Sequence, residues 1–351
     1  MMLQGHFIDT LLAIEYRDPD NIAYSTWLYF RGITAPVFFT ISGLIFTYLL
    51  IKAKEKGTLS IRIRKGLVRG LMLIGIGYAL RIPIFRWLTG KFGTYFMVID
   101  VLQCIGLSLI LIVSIYLLAR KKTLIFSVVM LCLGTLIFLF EPLFRTYSAE
   151  RIPLFFANYL TKVNGSVFTI LPWFGYMAYG AFIATLFYGY LTRPKFKTGL
   201  ITGFFVTGLI LVYGSTPVFL ELAKLINWTL LTEVANFNYL FIRLGNVLVI
   251  FGLFYAFEDY LKQPVVLIIG QKTLSIYVIH FILLYGSFTG LGLNQILGKV
   301  LTPFEVVFGA ICFLVTVSLI SIYIIKANTH IYKYIIDKLH YLKSLTKSLN
   351  N

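Results

Sequence analysis

Stretches of about 20 apolar residues recur along almost the whole chain, each long enough to cross a bilayer as a helix. That one pattern excludes most folds, because backbone polar groups in hydrocarbon must be satisfied within the spanning element itself. The reading is an all-α, polytopic transmembrane helix bundle. Nine full spans are expected at 25–51, 67–88, 95–119, 123–142, 167–190, 199–218, 236–257, 273–293 and 303–325. The apolar segment Met1 to Leu12 is too short to span and reads as the outer half of a helix that starts upstream, ten helices in all. It is no signal peptide, having no basic start and a histidine within it.

Charge sets the orientation. Of 351 residues 13% are charged, about half the share usual in a soluble domain. The net charge of +17 comes from basic residues placed between spans, which points to membrane topology and anionic lipid rather than nucleic acid. Lys52 to Arg69, Arg120 to Lys122, Arg193 to Lys197, Lys262 with Lys272, and the tail lysines fall on one side and hold most of the 31 Lys and Arg. By the positive-inside rule that side is cytoplasmic, giving a cell-membrane protein with a cytoplasmic C-terminus. The expected organisation is a transmembrane domain over 1–326 and a basic amphipathic tail over 327–351, lying on the inner leaflet. Loops 143–166 and 219–235 are the longest external ones. Cys104, Cys132 and Cys312 all fall within spans, which implies no disulfide framework, and no His/Cys spacing supports a metal.

Against this background the embedded polar residues stand out: His6, Asp9, Arg31, Arg81, Asp100, Gln103, Arg243 and His280. Ionisable groups in hydrocarbon are costly and mark functional sites by default. At 1.5 Å per residue they should all lie between the midplane and the external surface, with His6 roughly 12 Å deep. His6 and Asp9 are three apart, so they share a helical face on which a carboxylate can orient an imidazole. Asp100 and Gln103 repeat that spacing. Arg31 and Arg243 offer planar forks for carboxylate or phosphate. The structural alternative is an interhelical ion pair such as Asp100 with Arg243, and Arg81 snorkelling outward with Arg86. Trp173 reads either as an interfacial aromatic or as a cleft wall.

Several stretches together resemble membrane acyltransferases of the heparan-alpha-glucosaminide N-acetyltransferase type, relatives of the acyltransferase-3 proteins. They are GHFIDTLL at the start, FRGITAPVFFTISGLIF at 30–46, VLQCIGLSL at 101–109, LPWFGYMAYGAF at 171–182 and GQKTLSIYVIHFILLYG at 270–286. His6 matches the first-helix histidine of bacterial members and His280 that of the late LSIYVIH helix, while Arg31, Pro36 and Gly43 match the PVFFTISG signature. The D-x-x-R-G stretch that precedes the first histidine in that family would lie upstream of Met1, and loop 15–25 holds no histidine.

The resemblance implies acyl transfer, typically acetyl, from cytoplasmic acetyl-CoA or another acyl-CoA to a sugar or glycan acceptor on the opposite face, without a metal. His6, Asp9 and His280 would be catalytic, and Arg31, Asp100, Gln103, Arg243 and Trp173 would contact substrate. His6 would act as general base or as a transient acyl carrier. The basic loop 52–69 could meet the phosphates of CoA. A homodimer is one expected assembly. The rival function is a transporter or flippase for a sugar or lipid-linked anion, since His, Asp and Arg also serve proton coupling.

Overall fold

The computed structural model describes residues 1–323. The expected tail over 327–351 lies outside the described residues. Among these the chain is helical throughout, without a named strand. Ten helices carry the argument: α1 (Met2–Leu11), α2 (Ile22–Glu55), α3 (Leu59–Ala79), α4 (Val101–Leu118), α5 (Thr123–Leu139), α6 (Ile170–Tyr190), α7 (Phe196–Leu209), α8 (Tyr239–Ala256), α9 (Thr273–Tyr285) and α10 (Pro303–Tyr323). Among the described residues six helices are long and apolar enough to cross a membrane, and a seventh span results if the bent pair Pro264–Gln271 and α9 counts as one. This is a multi-pass membrane protein.

Three expected spans are redrawn. The span set at 67–88 is a helix from Leu59 to Ala79, so it takes in the basic residues Arg62, Arg64, Lys65 and Arg69; it stops shortly before Pro83, which cannot supply a helical N–H. The span set at 199–218 runs on to Ile226, through a wide π turn at Ile210–Gly214 that keeps the helix continuous. Most of the expected loop 219–235 is therefore helical, as Thr229–Asn236 is helical too. The span set at 273–293 is preceded by the helix Pro264–Gln271, bent from it by 65°, and ends at Tyr285, where Gly286 takes the left-handed cap conformation.

The chain divides into two compact units. The larger, Ser25–Asp259, is assembled through glycines. Helices in lipid gain little from apolar burial, so contact depends on close backbone approach. A Cβ on Gly70 of α3 would lie 2.7 Å from the Gly106 carbonyl oxygen of α4. Gly208 of α7 and Gly245 of α8 meet in the same way, with a Cβ on Gly208 reaching 2.8 Å from the Gly245 carbonyl. Gly43 of α2 abuts the Met177 carbonyl of α6, and Gly180 of α6 abuts the Thr40 carbonyl of α2.

The smaller unit joins Met1–Tyr24 to the described residues from Tyr260 to Tyr323. Backbone bonds clip them together: Leu301 N donates to Leu11 O and Ala13 N to Leu301 O, both at 3.0 Å. Phe7 of α1 also packs on Phe313 of α10, ring centroids 5.2 Å apart.

Gly70→Leu should force α3 from α4 and cost about 1–3 kcal/mol or more by overpacking. Gly75→Leu, on the same helix with open space around its Cβ position, should leave the thermal midpoint in detergent unchanged. Equal midpoints for the two variants would refute the glycine seam.

Candidate functional site

In the smaller unit α1 and α9 bring the two histidines into contact. The imidazoles of His6 and His280 stack, with centroids 5.2 Å apart and planes 27° from parallel. His6 Nδ1 lies 3.1 Å from the Tyr285 hydroxyl. Thr10, one turn after His6 on the same face, donates to that hydroxyl at 3.4 Å. His280 is fully buried. Its Nδ1 is 3.2 Å from the Ile276 carbonyl, which only accepts, so Nδ1 carries the proton and Nε2 the lone pair. Tyr277 meets the His280 ring edge-on at 5.0 Å, and Phe281 packs on Tyr285 at 4.9 Å. Aromatic rings thus fix one imidazole, and a hydroxyl aims the other.

Asp9 stands at the end of α1, where Arg17 folds back over it. Arg17 Nη1 is 4.0 Å from the Asp9 carboxylate. Its Nη2 donates to Asp9 O at 2.7 Å and to Leu12 O at 2.9 Å, and its Nε to Leu12 O at 3.1 Å. The guanidinium therefore caps the carbonyls at the helix C-terminus, where a cation is favoured.

The larger unit holds the other candidates. Asp100 is the N-cap of α4: its Oδ1 accepts from Val101 N at 2.8 Å, and Gln103 Oε1 accepts in turn from Asp100 N at 3.2 Å, a capping box. Gly77 of α3 leaves the space that the buried Gln103 side chain fills. Asp100 Oδ2 accepts from Arg81 Nη2 at 2.7 Å. Arg81 is thus buried (8% exposed) rather than snorkelling, and the acid's partner is Arg81, not Arg243. Arg81 lies two residues past the end of α3 and Asp100 is the cap of α4, so a cation just past one helix meets the cap of the next.

Arg243 of α8 lies against α2. Its Nη1 donates to Tyr29 O at 2.8 Å and its guanidinium sits 4.8 Å from the Tyr29 ring centroid, in space that the missing side chain of Gly32 leaves open. Arg31 lies 5.8 Å from the Trp27 ring centroid, a turn back on α2. Trp173 sits among Phe39, Phe168 and Tyr176, with centroids at 5.2, 4.7 and 5.7 Å. Its indole N–H is buried and meets no acceptor among the described residues.

Over residues 1–223 the sequence matches the family model of the heparan-alpha-glucosaminide N-acetyltransferase catalytic domain. The chain belongs to this family. Comparison with characterised proteins and with solved structures finds no match. The matched stretch of this acetyltransferase-family chain contains His6, Asp9, Arg31, Asp100, Gln103 and Trp173. His280, Tyr285 and Arg243 lie beyond it.

Sequence reasoning missed Tyr285, Thr10 and Arg17. Thr10 was legible, lying four residues after His6 on one face. Tyr285 was not, because a tyrosine near the end of an apolar helix is common and nothing local ties it to His6.

Arg81→Met should leave the half-buried Asp100 carboxylate without this partner and cost about 3 kcal/mol. The double variant Arg81→Met, Asp100→Asn should recover part of that loss in detergent melting. Additive losses would show that the pair is not coupled.

Proposed function

We propose that the chain transfers an acyl group, acetyl by its family's chemistry, from acyl-CoA to a sugar or glycan on the extracytoplasmic face of the cell membrane. The observation that carries this reading is the His6–His280 stack with Tyr285 on His6 Nδ1. With the proton of His6 on Nδ1 and donated to the Tyr285 hydroxyl, the Nε2 lone pair is the base. Thr10 donates to the same oxygen, consistent with Tyr285 as acceptor.

The step balances as follows. His6 Nε2 takes the proton of an acceptor hydroxyl or amine while that oxygen or nitrogen bonds to the thioester carbonyl carbon. The carbonyl re-forms, the C–S bond breaks, and CoA leaves as a thiolate that takes the proton back from the imidazolium. Asp9, three residues on, supplies a negative charge on the helical face of His6. Asp100 and Gln103 serve the α4 cap and its ion pair.

The test is acetyl transfer from labelled acetyl-CoA to a panel of sugars, using protein purified in lipid nanodiscs. His6→Ala should lower the rate by roughly 10²–10⁴-fold, the usual worth of a general base. Tyr285→Phe, losing one hydrogen bond to the base, should lower it about tenfold. Sugar flux with no acyl transfer, or full activity in His6→Ala, would overturn the proposal.

A further inference from the structure

The two ends of α3 treat their arginines in opposite ways. Just beyond its C-terminal end, Arg81 has Asp100 at 2.7 Å. Near its N-terminal end, Arg62 is half-buried against the Phe46 ring, 5.8 Å from the centroid, and its Nε is buried with no acceptor. Phe46 is itself buried and fills the notch left by Gly66, where a Cβ would come 2.7 Å from its ring. The guanidinium therefore rests on an apolar floor and has lost part of its water.

A structural arginine so placed needs an acid. The charged group acting on Arg62 is instead a second cation, Arg69. Arg62, Lys65 and Arg69 follow at intervals of three and four residues, so they occupy one face of α3. No carboxylate pairs with any of the three among the described residues. Glu55, seven positions before Arg62 in the sequence, accepts from the Tyr188 hydroxyl at 2.7 Å. Other basic groups of the hairpin are partly engaged: Lys54 donates to Lys121 O at 2.8 Å, and Lys52 lies over the Tyr48 ring. Three cations on one face, one of them partly desolvated, form a surface completed by an anion of high charge. A phosphomonoester or pyrophosphate meets that requirement, with oxygens for two planar forks and an ammonium.

We propose that Arg62, Lys65 and Arg69 form a phosphate-binding site that seats the phosphates of the nucleotide-bearing acyl donor. This rests on the acyl-CoA reading above, but the site is testable without catalysis. The probe is adenosine 3′,5′-bisphosphate, titrated calorimetrically against the full chain in nanodiscs of neutral lipid. The wild type should bind it, and Arg69→Gln, at an exposed position, should bind at least tenfold more weakly with an unchanged melting midpoint. Arg62→Gln should do the same. Arg64→Gln, on the opposite face of α3, should bind as the wild type does. Equal binding by Arg69→Gln, or equal loss in Arg64→Gln, would overturn the site as a specific one.

A second arm separates the sources of phosphate. If the probe fails to bind in neutral nanodiscs while phosphatidylglycerol raises the melting midpoint only when Arg62 and Arg69 are present, the ligand is a lipid headgroup and the donor assignment falls. His6→Ala should retain the probe. Probe binding in a chain that transfers no acetyl group would uphold this site and sink the catalytic reading alone.

Discussion

A polar group among apolar helices must find its partner within the protein, and this constraint organises the whole chain. Arg81 finds Asp100, which in turn caps α4 and locks Gln103 into the space beside Gly77. Arg17 finds the open carbonyls at the end of α1. Arg243 finds the Tyr29 carbonyl of α2. Each cation closes a gap in the backbone or an acid's charge, so most embedded arginines are accounted for by structure. Arg62 stands apart because its charged neighbour has the same sign.

The histidines obey the same constraint by different means. An imidazole can be donor and acceptor at once, so it is accommodated by a carbonyl and a hydroxyl rather than by a counter-charge. His280 settles on the carbonyl of Ile276 in its own helix, whereas His6 depends on Tyr285 of another helix. The fixed ring and the aimed ring thus differ in what holds them. That difference makes His6 the one whose tautomer a neighbouring side chain controls, a property useful in a base.

Glycine supplies what the polar pairs need: short distances between helix axes. Gly70 with Gly106, and Gly43 and Gly180 with their carbonyl contacts, bring backbones together where any side chain would hold them apart. Gly77 and Gly32 do the same for the Gln103 amide and the Arg243 guanidinium. Packing in this membrane protein therefore serves site geometry directly, since the notch that admits a neighbouring helix also admits a polar head.

The sequence by itself determined the helical membrane class and the rough position of most helices, because hydropathy and helix length are local properties. It also carried the family, through motifs such as GHFIDTLL and FRGITAPVFFTISGLIF, which lie within the matched residues 1–223. Helix ends were less legible: Arg62 and Lys65 looked like loop because a run of charge resembles solvent-exposed chain, yet α3 begins before them. Partners were decided only by the tertiary structure. Asp100 could have met Arg81 or Arg243, and the choice was made by where α3 stops and α4 starts. Tyr285 reached His6 across 279 positions of sequence, a pairing that no periodicity encodes, because it depends on α1 and α9 folding into one unit.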